Sequence, residues 1–541
     1  MSLAKTIEAP SWISTGATIT GGLDLLGLRL PVQVIGGGLL DGITSVSPSV
    51  RYIAFRCWFI QCYGRSGLAD TRDGFAQFSA RLEAALVLAN LIGDRRTTGL
   101  IGSDEALKRL DENPEELAIS PLVQTPAATV YAGPSYQLGV TRARDDAVPS
   151  LTRERGLPLA ENVEQYLSTN SLIKRLLSEP ELERVPIDDL RELGAAVRID
   201  EIPDRERELL VTTIVPERPL ARERARVGTY ASLLLLARNL RKRPTESKYF
   251  GAACSMERFG EPLLDDTADG WTAYCVRDSI AVTQEAVLGA VMNEITGDAA
   301  GGGTSVRRDR IIGPLLERVQ DHSEALRDLG LLAASESVGD FSYWRLASRI
   351  EEQLREGAVE QANGIVRWPS SFIETRLYNL APGAGAGALS LALVAWIVAA
   401  IRVGAAIPRA RPEHAGLSYQ GRRRMGLADV VLPELDRFQR EDKPWLAVAG
   451  ELAYRTVEQH LQIAWSRLLA DPKRDVALLT TDGNRWYSRD KTFTGGRTLS
   501  RLPQALGWLT DLRLLNSAGL TADGDDALHR ALQVLAETRR E

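Results

Sequence analysis

Cysteine and histidine most often bring nucleophilic or metal chemistry, and this chain holds only four of each. Cys57 and Cys62 are five apart and Cys254 and Cys275 are 21 apart, so neither pair has the two-residue gap of a zinc knuckle. Cys57 lies in an aromatic, helix-like run where a small thiol is ordinary packing material. His322, His414, His460 and His529 are scattered, and none has the second histidine one helical turn away that a metallohydrolase helix needs. His460 reads as a surface or capping group on a long helix. The glycine runs Gly36–Gly38 and Gly301–Gly303 lack a following Gly-Lys-Ser/Thr, and Gly36 opens no strand-turn-helix unit with a ribose-binding acid. No Gly-x-Ser-x-Gly elbow occurs. Asp436, Glu441 and Lys443 can be grouped as a nuclease-like set, but they share one charged run that reads as a solvated helix end. The expectation is a non-enzymatic chain with no catalytic residue, metal ligand or cofactor. A divergent metal-dependent nuclease or hydrolase is the alternative.

Arginine is the other chemistry-bearing residue. Sixty-five Lys+Arg against 71 Asp+Glu give a net charge of −6, so any anion-binding surface must be a local patch. Arg222, Arg224 and Arg226 alternate around Glu223; a second cluster is Arg238, Arg241, Lys242 and Arg243; a third is Arg422, Arg423 and Arg424. Each reads first as a solvated face and second as phosphate contacts, which are assigned to Arg222, Arg224, Arg226, Arg422, Arg423 and Arg424. Arg51 and Arg56 sit among aromatics in a helical run, where pairing with a buried acid or stacking on a ring is expected.

The elements that position these residues are mostly helices. At roughly 150 residues per domain, 541 residues make about three to four domains. Tyr52, Phe55, Phe59 and Cys62 follow three- and four-residue steps, and Phe75, Phe78, Leu82, Ala85, Leu86 and Ala89 form a second stripe, so two helices packed as an αα unit are expected. Residues 113–158 are punctuated by prolines and read as an irregular connector laid over the core. A charged helical block covers about Leu159–Leu240. Ala384–Ile401 is an 18-residue run without charge, just within the roughly 17–25 residues of a bilayer span. Its Ala/Gly content favours a helix buried among helices over a membrane-acting segment. Pro444–Leu469 is a long amphipathic helix broken by Asp471-Pro472.

After the β-prone Asn484–Tyr487, Ser500 caps a helix carrying Leu502, Leu506, Leu509 and Leu512, and Gly519-Leu520-Thr521-Ala522-Asp523-Gly524 leads into a last helix. This order over about Val476–Glu537 resembles a winged-helix domain. The resemblance implies a recognition helix near Ser500–Leu512, with Arg497, Arg501, Gln504, Arg513 and Arg485 as DNA contacts. Trp508 implies burial, and winged helices also dock subunits.

Gly22-Leu23-Asp24-Leu25-Leu26-Gly27, Asp41-Gly42-Ile43-Thr44-Ser45-Val46 and Val50-Arg51-Tyr52 are similar to the start of certain bacterial proteins encoded among antiviral-defence or DNA-restriction genes. That likeness covers about residues 20–63 and implies a defence-complex component without naming chemistry. The expected fold is mainly α and multidomain. It has a helical N-terminal domain with its connector (1–150), a charged helical domain (151–245), a helical core domain holding the apolar helix 384–401 (246–440), and a long helix plus winged-helix α+β module (441–541). The expected protein is a cytoplasmic, non-catalytic scaffold or DNA-associated subunit with double-stranded DNA and helicase, nuclease or ATPase partners. Few cysteines and no secretory leader at Met1–Pro10 underlie the compartment.

Overall fold

The computed structural model describes residues 24–112, 115–144, 147–256, 258–299, 306–360, 363–369, 373–409, 425–470, 476–489, 493 and 495–539. Among these the chain is mainly helical, with 22 α-helices and five small sheets, none wider than three strands. It divides into two compact units, each assembled from separated stretches. Unit one comprises Met1–Gly36, Phe250–Gly260 and Ala268–Thr498; unit two comprises Gly37–Tyr249, Glu261–Thr267 and Leu499–Glu541.

In unit two the helix Arg51–Arg65 is buried from Arg51 to Tyr63. A helix apolar on every side belongs in a core, but this one carries two arginines inward. Arg51 donates to both carboxylate oxygens of Glu206 (3.0 and 3.2 Å), to the Tyr166 hydroxyl (3.1 Å) and to the carbonyls of Ala196, Arg198 and Glu201. Arg56 donates to the Ala128 carbonyl at 2.7 Å and lies 6.0 Å from the Phe75 ring centre, and burial lowers its pKa to about 10. The helix Arg72–Gly93 begins at Thr71, whose hydroxyl accepts from Gly74 N at 3.2 Å. Its Phe75/Phe78/Leu82/Ala85/Leu86/Ala89 stripe is buried, and Tyr63 meets Phe75 and Phe78 edge-on. Its other side receives the helix Ile187–Val197. There a Cβ on Gly194 would lie 2.8 Å from the Ala89 carbonyl oxygen, so only glycine permits that approach. The proline-punctuated stretch folds into the short helices Ala127–Val130 and Ala132–Gln137, burying Tyr131 and Leu138.

In unit one the helix Gly387–Val403 holds all but the first three residues of the apolar run and is buried along nearly its whole length. It packs on Val319–Asp328 and Trp445–Ala470. Among the described residues two helical segments, Arg72–Gly93 and Gly387–Pro408, are long and apolar enough to cross a membrane, and their apolar windows are 78% and 83% buried inside the protein. The charge that ends the apolar run, Arg402, is itself buried. It pairs with both oxygens of Glu374, donates to the Cys254 and Val366 carbonyls, and lies 4.2 Å from the Trp368 ring centre. His460 is a correction to the surface reading: it is fully buried. Its Nδ1 is 3.2 Å from the Leu25 carbonyl and its Nε2 accepts from Leu478 N at 3.0 Å. The histidine thus ties two distant loops to the long helix.

Candidate nucleic-acid interface

The C-terminal stretch of unit two folds as helix Leu502–Asp511, an antiparallel hairpin of Leu515–Asn516 with Gly519–Leu520, and helix Ala522–Thr538. Ser500 Oγ accepts from Leu502 N at 3.2 Å, Leu502, Leu506 and Leu509 point inward, and Thr521 caps the last helix through Gly524 N at 3.0 Å. The face expected to read bases is instead committed to the chain's own backbone. Arg501 donates to the Ile43 carbonyl at 2.8 Å, Gln504 to Ser45 at 3.0 Å, and the Trp508 indole N–H to Ser47 at 3.0 Å. Trp508 also stacks on Tyr131, with ring centres 6.5 Å apart. At the helix end Asp511 accepts from Val50 N at 3.3 Å, and burial pushes its carboxyl up to about 6.

The hairpin presses against the end of the helix Arg224–Leu240. Gly519 has φ of 109°, and a Cβ there would lie 2.8 Å from Lys242 N and 3.1 Å from the Ala237 carbonyl oxygen. Glycine is therefore what lets the two backbones touch. That contact brings the second arginine cluster beside the hairpin. Arg238 is 3.6 Å from Asp525. Arg241, Lys242 and Arg243 are exposed, and no ion pair holds them among the described residues. On the other flank, Arg513 precedes the first hairpin strand, its carbonyl accepting from the Thr521 hydroxyl at 2.7 Å. Its guanidinium is exposed and 3.9 Å from Asp204. Pro244, just beyond the 238–243 cluster, is the local signal in the sequence that these cations stand at a helix terminus.

The remaining expected contacts fall elsewhere. Arg226 is fully buried, 3.0 Å from Glu223 and 3.8 Å from Asp41, and donates to the Ile214 and Asp41 carbonyls. This corrects the solvated-face reading at that position and leaves Arg226 no face for phosphate. Glu223 also takes Arg155 at 2.6 Å, and these partners hold its carboxyl below the usual range despite burial. Arg224 is half-buried, while Arg222 is exposed and lies over the Tyr136 ring at 5.7 Å. Arg497 and Arg485 belong to unit one. Arg497 sits 3.8 Å from buried Asp278 and 4.4 Å from the Tyr378 ring centre, and Arg485 is exposed on a strand paired with Val306–Arg307. Arg422, Arg423 and Arg424 lie outside the described residues.

One arrangement in unit one has the outline of a catalytic pair. His322 Nδ1 is 2.9 Å from Ser390 Oγ, and His322 Nε2 is 3.0 Å from the Leu315 carbonyl. With Nε2–H donating to that carbonyl, Nδ1 accepts the serine proton. Yet Ser390 Oγ also takes the Trp445 N–H at 3.0 Å, and all three residues are buried. A nucleophile needs room for a substrate carbonyl, so the trio serves as a polar tie inside the core. Among the described residues no three His, Cys, Asp or Glu side chains gather as metal ligands. Asp436 and Glu441 are exposed at the helix Leu432–Glu441, and Lys443 pairs with Glu441 and Glu451. No protein family, curated protein or solved structure matches this chain.

Proposed function

We propose that the chain is a non-catalytic subunit of a bacterial multi-protein complex, acting in antiviral defence, that associates with double-stranded DNA. The C-terminal helix–hairpin–helix is read as a winged-helix module, and the helical body as the dock for helicase, nuclease or ATPase partners in the cytoplasm. The carrying observation is the row of exposed cations Arg241, Lys242 and Arg243, free of ion pairs among the described residues and held beside the hairpin by the Gly519 contact. In a chain of net charge −6, such a local excess is what a polyanion would feel. Support for the defence complex comes from the likeness of residues 20–63 alone.

The test is fluorescence anisotropy with a labelled duplex over about 50 to 200 mM salt. Binding should weaken steeply with salt. The triple change Arg241→Glu, Lys242→Glu, Arg243→Glu should weaken it at least about tenfold and reduce the log–log salt slope by about 2.7, three contacts at about 0.9 each. An unchanged affinity would overturn the reading. A second reading, docking of a partner protein, draws on Leu499, 71% exposed at the start of the same module. It predicts no duplex binding even at about 50 mM salt.

A further inference from the structure

We infer that this surface grips the phosphodiester backbone without reading base sequence, and that Arg241 and Arg513 are its anchoring contacts. This rests on the DNA reading above and goes further by naming the ligand chemistry and the residues. Base readout needs side-chain donors and acceptors that reach groove edges. On the helix Leu502–Asp511, Gln504 and the preceding Arg501 are bonded to backbone carbonyls, Trp508 is buried, and the remaining outward positions include Pro503 and Gly507. The hairpin tip, Asn516-Ser517-Ala518-Gly519, is small and uncharged, and the Asn516 side chain accepts from Ala518 N at 2.9 Å. What the surface presents besides is Arg241, Lys242 and Arg243 on one flank of the hairpin and Arg513, beside the exposed Asp204, on the other.

Backbone conformation singles out two of those cations. Five non-glycine residues have positive φ among the described residues, and Arg241 (49°), Arg501 (65°) and Arg513 (57°) are three of them. These left-handed positions follow helix ends or precede a helix, where glycine or asparagine is the unstrained choice. Arg501 has a structural reason to be arginine, its bond to the Ile43 carbonyl. Arg241 has no ion pair among the described residues, and Arg513 has only Asp204 at 3.9 Å, itself exposed. Arginine at these two strained positions therefore serves something outside the chain. The pair brackets the hairpin: the Arg241 carbonyl carbon would lie 3.1 Å from a Gly519 Cβ, and the Arg513 carbonyl holds Thr521. Guanidinium at both flanks suits two phosphates of a backbone.

The experiment compares Arg241→Gly, Arg513→Gly and the double variant with wild type in the full chain. Two duplexes of unrelated sequence serve as probes, with melting temperature as a parallel readout. Wild type should bind both duplexes within about threefold, since phosphate contacts carry no sequence information. The double glycine variant should lose roughly tenfold in affinity and about 1.8 of the salt slope, while its melting temperature stays level or rises because glycine relieves the left-handed strain. Arg241→Lys with Arg513→Lys should retain most of the affinity. A preference between the duplexes above about tenfold, or glycine variants that bind like wild type or melt lower, would overturn this inference and leave the DNA reading standing. Failure of wild type to bind either duplex would sink the DNA reading itself.

Discussion

Arg51 and Glu206 allow the sharpest test of how unit two is held together. Both side chains are fully buried, and the guanidinium meets the carboxylate at 3.0 and 3.2 Å while donating to three carbonyls and one hydroxyl. Arg51→Met leaves Glu206 ionisable, buried, and supported only by the Tyr166 hydroxyl at 2.7 Å. Breaking one side of such a pair costs about 3–5 kcal/mol. For a unit of this size that is about 6–20 °C in melting temperature. Replacing both residues, Arg51→Met with Glu206→Met, removes the stranded charge. Both variants lose the bonds from Arg51 to the carbonyls of Ala196, Arg198 and Glu201 and to the Tyr166 hydroxyl, so these cancel in the comparison, and the double variant alone also loses the Tyr166–Glu206 bond, about 1 kcal/mol. The double variant should therefore be more stable than the single by about 1–2 kcal/mol, read by urea unfolding followed through tryptophan fluorescence. Additive losses, with the double variant the least stable, would refute the stranded-charge argument.

Two further outcomes follow from the same geometry. Gly519→Ala forces a Cβ to within 2.8 Å of Lys242 N at φ of 109°, so it should destabilise unit two by about 2–3 kcal/mol and weaken duplex binding by splaying the hairpin from Arg241. Denaturation and anisotropy on one sample check both. Glu83 is 3% exposed and accepts from the Ala127 and Ala128 amides at 2.6 and 3.1 Å; burial outweighs these bonds and lifts its pKa from 4.5 to about 7. Between those values the folded state keeps a proton the unfolded chain has lost, so stability falls as pH rises from about 4.5 to about 7 and is level above. Glu83→Gln should remove about 2 kcal/mol of that slope, measured as the difference between wild-type and variant urea midpoints at about pH 5 and about pH 7.5.

Much of the helical frame was legible because its signals are local. The Phe75–Ala89 stripe and the long helix after Pro444 each announce one buried face within a single window, and the uncharged run before Arg402 announces a helix buried all round. What was hidden depends on partners far along the chain. Glu223 and Arg226 have the three-residue spacing of an exposed helix pair, and only Asp41 and Arg155 make that site an interior one. His460 looked like a lone helix histidine because Leu25 and Leu478 come from opposite ends of the sequence. The candidate interface divides the same way. Its helix–hairpin–helix order could be read from caps and turns, but the commitment of Arg501 and Gln504 to residues 43–45 could not.

The buried arginines also limit what composition says about nucleic acid. Arg51, Arg226, Arg277, Arg367 and Arg402 are among the largest fully buried side chains. Several donate where helices end: Arg51 to carbonyls around the close of Ile187–Val197, Arg226 to Ile214 at the close of Asp204–Ile214, and Arg367 and Arg402 to Ala253 and Cys254 at the close of Glu246–Cys254. A helix leaves its last four carbonyls without internal partners, and a fold with many helix ends in its interior must supply donors there. Guanidinium supplies five in a rigid fork, which lysine cannot match. A clustered arginine in such a chain is thus as easily an internal cap as an anion contact, and charge density alone does not separate the two. Exposure together with the lack of an internal acceptor does, and that criterion turns the assignment from Arg226 and Arg501 toward Arg241, Lys242 and Arg243.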